Sequence, residues 1–169
     1  NIGEIILVAV SIIFLNLPVP LLPIQLLWLN LVTDSFPALA LGVEKGEPDI
    51  MNQNPRDPNE AILDKNMIIG VMFQSLAVGG AALLAYVTAL NYYGIDDLLH
   101  ARTITFTTLI TAELLRAYSS RSQKYTLAKI GVFSNKSMVY ATLGAFMLML
   151  GVLYLPFLHD IFYTFSLGF

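Results

Sequence analysis

The chain of 169 residues contains no cysteine, only two histidines and few charges, with 12% of its residues being Asp, Glu, Lys or Arg. Without cysteine there is no disulfide framework and no thiolate for redox or zinc chemistry. A formal net charge of −3 leaves no basic surface to neutralise the phosphates of a nucleic acid. The polar composition that keeps a chain disordered is missing too, because 56% of the residues are hydrophobic and the mean hydropathy is +0.69. The first residue is not methionine, and no Lys or Arg precedes the apolar stretch at residues 5–15, so the opening does not read as a signal peptide. The chain is expected to be a piece of a larger protein.

What remains is a membrane composition, with the charges in clumps between long uncharged runs. A spanning helix needs about 20 largely apolar residues. Residues 1–17, 22–43, 67–90, 103–119 and 138–155 provide such runs, the first of them short. The expected fold is therefore all-α: a polytopic transmembrane bundle of about five helices occupying residues 1–169 as one domain. The aromatic tail, 156–169, is too short to cross again and is expected to be an interfacial loop. Basic residues set the orientation, since Lys and Arg in short loops stay cytoplasmic. Lys45, Arg56 and Lys65 lie in one loop, and Arg116, Arg121, Lys124, Lys129 and Lys136 at or after the fourth span, leaving Arg102 alone on the other side. Loops of about 44–66 and 119–137 are thus expected to be cytoplasmic. Pro18, Pro20 and Pro23 mark a tight turn, as does the run from Asn91 to Asp97. Trp28 reads equally well as an interfacial residue or as packing, and Gly79-Gly80 suits close helix contact.

Glu4, Asp34 and Glu113 fall inside apolar spans, where ionisable groups are costly and usually functional. Arg116, three residues after Glu113, is the one basic residue placed to pair with any of them. Asn1 and Glu4 share a helix face, as do Asn30, Thr33 and Asp34. All offer oxygen, the donor set of a hard cation such as calcium. Pro37 cannot donate to the carbonyl of residue 33, so the second span is expected to unwind near Thr33–Pro37 and to free carbonyls for an ion. His100 and His159 lie in outer loops and read as solvated. The acids Glu44, Glu47, Asp49, Asp57, Glu60 and Asp64 lack the spacing of a calcium-binding hand and read as a solvated loop.

At these residues the chain resembles the membrane domain of P-type calcium-transporting ATPases, above all the sarcoplasmic and endoplasmic reticulum type and its bacterial relatives. The run from Pro23 through Leu29-Asn30-Leu31-Val32-Thr33-Asp34 to Gly42 is similar to that family's sixth membrane helix. Asn1-Ile2-Gly3-Glu4 resembles the ion-binding part of the fifth, and Ala112-Glu113 the carboxylate position of the eighth. Asp49-Ile50-Met51 with Pro55-Arg56 is similar to the cytoplasmic connection between helices six and seven. The resemblance covers nearly the whole chain, through helix nine, and is stronger up to about residue 62.

It implies two neighbouring calcium sites, Asn1, Glu4, Thr33, Asp34 and Glu113 lining the first, and Asn30 with Asp34 serving the second. Glu4 favours two ions, since the secretory-pathway and plasma-membrane pumps look to have no acid there. Arg116 is the departure from the pattern, because a salt bridge would hold Glu113 away from an ion. The resemblance further implies an ATP-driven cycle with proton counter-transport, in which magnesium and ATP act on phosphorylation, nucleotide and actuator domains of the parent. No Asp-Lys-Thr-Gly-Thr motif or glycine-rich phosphate loop occurs within these residues, so they hold no catalytic residues for ATP hydrolysis. The fourth helix, which completes the family's second site, also lies outside them. Implied partners are the lipid bilayer and the rest of the parent, in the plasma membrane if the source is bacterial. An ATP-independent cation or proton transporter or channel, and a non-transporting membrane scaffold, are the alternative readings.

Overall fold

The computed structural model describes residues 1–46, 49–52, 64–122 and 125–167. Glu47, Pro55, Arg56, Asp57, Glu60 and Lys124 of the expected cytoplasmic loops lie outside them. The described residues fold as eight α-helices: α1 (Ile2–Ala9), α2 (Pro23–Trp28), α3 (Ser35–Gly42), α4 (Lys65–Tyr93), α5 (Leu98–Ser119), α6 (Leu127–Ile130), α7 (Lys136–Tyr154) and α8 (Pro156–Phe162). Wider π-type turns extend α1 through Val10–Phe14 and join α2 to α3 through Leu29–Asp34.

Three continuous helical stretches, Pro23–Gly42, Met67–Tyr93 and Lys136–Tyr154, are long and apolar enough to cross a membrane. Ile2–Phe14 is apolar but shorter. The expected fourth span lies within α5, whose 22 residues extend about 33 Å, although His100, Arg102, Glu113 and Arg116 make it more polar. Along α4 many large apolar side chains point outward, with Phe73 74% and Leu84 69% exposed. An outer surface built this way is the inverse of a water-soluble helix and suits a hydrocarbon surround.

Asp64, Asp97 and Asn135 cap α4, α5 and α7, each side chain accepting a hydrogen bond from the backbone N–H three residues on. Helix α4 stops at Gly94, whose φ of 90° is one that residues with a side chain rarely adopt. The core joins the helices through Leu7, Leu29, Phe106, Leu109 and Met149. Trp28 meets Phe106 edge-on with ring centroids 5.5 Å apart, so the packing reading of Trp28 holds. Gly3 and Gly79 let α1 and α4 touch backbone to backbone: a Cβ on Gly79 would lie 2.7 Å from the Gly3 carbonyl oxygen.

Two expectations change. The tail is not a plain loop, because Pro156 starts α8 with its φ already suited to a first helical turn, and Tyr163 ends it in a left-handed conformation. Nor does the second span unwind at Thr33–Pro37. The irregularity is the π-type segment Leu29–Asp34, which begins one turn earlier, shares only Thr33 and Asp34 with the expected stretch, and passes into α3 at Ser35 without a break in the helix. Pro37 lies just after the π-type segment, whose wider turns absorb the hydrogen bond that its missing N–H cannot make.

Candidate cation site

Glu4 projects from α1 and is 5% exposed. Its Oε2 accepts a 3.4 Å hydrogen bond from Asn30 Nδ2, and its Oε1 is buried without any partner. Asn30 stands in the π-type segment, and its Nδ2 also donates to the Leu26 carbonyl at 2.8 Å. Asn1 Nδ2 donates to Asn30 Oδ1, so Asn1, Glu4 and Asn30 form one linked group.

Side chains of the π-type segment and its flank hydrogen-bond to backbone carbonyls of the same helix. Asn30 takes the Leu26 carbonyl, Thr33 Oγ1 donates to that of Leu29 at 2.8 Å, and Ser35 Oγ to that of Asn30 at 3.4 Å. The carbonyls of Leu26, Leu29 and Asn30 thus each accept from one of these side chains. Ser35 went unnoticed in the sequence, where its hydroxyl has no neighbour to suggest this use. Asp34 closes the segment, half-buried.

Glu113, on α5, is also 5% exposed, and its Oε2 has no hydrogen-bond partner. Arg116 makes no ion pair with it among the described residues, so the salt bridge that would have withdrawn this carboxylate does not form. Asp34 and Glu4 both act electrostatically on Glu113, which places the three acids in one field. They do not close into a cage: among the described residues, no three His, Asp or Glu side chains converge tightly enough to hold a metal ion. Thr33 points its hydroxyl at its own helix instead of at the acids.

The atoms of the group left without a hydrogen-bond partner are carboxylate oxygens. A buried carboxylate oxygen without a donor is costly, and a cation held by several oxygens is one of the few ways to offset that cost. An open, mostly apolar cleft of about 430 Å³ runs beside Glu4, lined by Ile5, Val8, Ile12 and Leu26, so the carboxylate is reached from one side of the bundle.

The family described as "Cation transporting ATPase, C-terminus" matches residues 18–169. A calcium-transporting ATPase of Bacillus subtilis is 38% identical over 164 residues, covering 97% of this chain and 18% of the relative. Calcium-transporting ATPase type 2C member 1 of Homo sapiens is 36% identical over 156 residues, covering 91% and 16%. Calcium-transporting ATPase 1 of Yarrowia lipolytica is 35% identical over 162 residues, covering 96% and 17%. The chain spans less than a fifth of the length of these relatives. With its apolar spanning helices and this match over residues 18–169, the chain is an integral membrane protein belonging to the C-terminal family of cation-transporting ATPases.

Proposed function

We propose that the chain is the ion-binding and translocating membrane part of an ATP-driven calcium pump, taking two calcium ions per cycle and returning protons. The observation that carries this reading is the pair of buried carboxylates, Glu4 and Glu113, each with one oxygen lacking any donor, in the same field as Asp34. All three come from helices that would lie within the bilayer, and no basic side chain forms an ion pair with them among the described residues. The names of the relatives support calcium as the cargo.

In this mechanism Asn30 steadies Glu4 through its amide N–H and offers its Oδ1 as a ligand oxygen. Asp34 bridges the two ions, and Glu113 closes the first site from α5. Three carboxylates alone fall short of the charge of two divalent ions. The open cleft beside Glu4 suits a further helix of the parent that brings the remaining ligands. Phosphorylation and nucleotide binding take place on parent domains that use magnesium and ATP. The π-type segment gives the Asp34 helix a place to rewind or shift when those domains move. Acids that have released their ions in a low-dielectric setting take up protons, which accounts for counter-transport. Loops 44–66 and 119–137 face the cytoplasm, and the first of them transmits force from the soluble domains.

ATP-driven calcium uptake by vesicles carrying the full-length protein tests the reading. Asp34→Asn is expected to abolish uptake, with Glu4→Gln and Glu113→Gln each reducing it severely. Uptake that persists in Asp34→Asn, or that needs no ATP, overturns it.

A further inference from the structure

Away from the three acids, Arg121 is a buried charge with every donor engaged. It lies two residues beyond α5 and is 7% exposed. Nε and Nη2 grip the two oxygens of Glu44 at 2.7 and 3.0 Å, in the two-pronged geometry that makes guanidinium–carboxylate pairs strong. Nη1 donates to the Gly131 and Val132 carbonyls, both at 3.0 Å, and Nη2 also to Ser134 Oγ at 2.6 Å. All five N–H groups of the side chain are used. Asn135, the cap of α7, donates from Nδ2 to Glu44 Oε2 at 2.7 Å and to the Ala40 carbonyl at 3.0 Å. Below them Ala40, Ala117 and Met138 pack together. The hydrogen bonds from Arg121 and Asn135 hold the Glu44 carboxyl below the usual carboxylate range, so it is charged at neutral pH.

This knot ties the end of α3, the exit of α5 and the start of α7 at one point. Glu44 and Arg121 each sit two residues past a helix end, at Gly42 and Ser119, and Asp34 and Glu113 lie eight and six residues before those ends, on helical arms of about 12 and 9 Å. The arm to Asp34 runs through α3, regular from Ser35, while the pliable π-type turns lie on its far side. Any change in the knot therefore reaches Asp34 before it can be absorbed.

We propose that Glu44, Arg121 and Asn135 are positioning residues that set the separation of Asp34 and Glu113 and so tune cation affinity. The proposal rests on the cation-site reading above. Its test is the calcium dependence of ATP hydrolysis by the full-length protein in lipid vesicles. Glu44→Ala cuts the link to α3 while Arg121 keeps its three acceptors in the loop before α7. It is expected to raise the half-maximal calcium concentration about 2- to 30-fold, the range of mutations along coupled networks, with the maximal rate near wild type. Glu44→Gln, which can still accept from Arg121, should fall between the two and serves as the readout if Glu44→Ala does not fold. Lys129→Ala, a nearby loss of charge outside the knot, should leave calcium dependence unchanged. A folded Glu44 variant with wild-type half-saturation, or one that loses only maximal rate, overturns the proposal. Asp34→Asn measured alongside separates the two failures: if it keeps normal calcium dependence, the cation-site reading itself has failed.

Discussion

The Gly3–Gly79 contact offers a sharp test of how the acid on α1 is held, because its neighbour Gly80 is a built-in control. A methyl group on Gly79 would sit 2.7 Å from the Gly3 carbonyl oxygen, 3.2 Å from its Cα and 3.3 Å from its carbonyl carbon. These are backbone atoms of another helix, so no rotamer change can relieve the overlap. Relief requires α1 and α4 to separate by several tenths of an ångström. Overpacking of this kind costs about 1–3 kcal/mol, against roughly 1 kcal/mol gained by replacing a mid-helix glycine with alanine. A Cβ on Gly80 meets nothing within 4 Å, so Gly80→Ala should show only the gain. The two variants should therefore differ by about 1–3 kcal/mol, with Gly79→Ala the less stable and the lower-melting. Thermal unfolding of the full-length protein in detergent reads the difference. Because Gly3 precedes Glu4, Gly79→Ala should also weaken calcium binding, and Gly80→Ala should not. Equal melting temperatures for the two variants would refute the close-contact argument.

Tyr86 is fully buried and its hydroxyl donates to the Pro18 carbonyl at 2.8 Å, so Tyr86→Phe should lower stability by about 1 kcal/mol, visible in the same unfolding assay. Asn30→Ala removes both the donor to Glu4 Oε2 and the proposed ligand oxygen; equilibrium calcium binding should weaken by more than tenfold, about 1.4 kcal/mol or more, whereas Asn30→Asp should change pH dependence as well. The Glu44 carboxyl is held below its ordinary range chiefly by Arg121, so its contribution is fully present above the unfolded value of about 4.3 and is lost as pH falls through the lower folded value. The melting-temperature gap between wild type and Glu44→Gln should be constant above about pH 5 and shrink in more acid solution.

Much of the bundle was legible because a bilayer demands long apolar runs, and those runs end at recognisable caps and turns. Asp64, Asp97, Asn135 and Gly94 mark boundaries that local chemistry dictates. The cation-site candidates were legible for the converse reason: an acid in an apolar run is conspicuous. The place of the backbone irregularity was not. Proline signals where a hydrogen bond is missing, but the extra residue of a π-type turn absorbs the mismatch upstream, at Leu29–Asp34. Nor did the sequence reveal that Arg116 leaves Glu113 unpaired, since three residues on a helix bring two side chains near without fixing their rotamers. Arg121 read only as one more cytoplasmic charge. Its five donors find acceptors on segments as distant in sequence as Glu44 and Ser134, a convergence that spacing along the chain cannot display.

The central claim is that Glu4, Asp34 and Glu113 serve one cation-binding group. Equilibrium binding of radioactive calcium to the purified full-length protein, without ATP, tests it directly. Two ions per molecule are expected for wild type and none at micromolar calcium for Asp34→Asn; an unchanged number of bound ions in that variant would contradict the account.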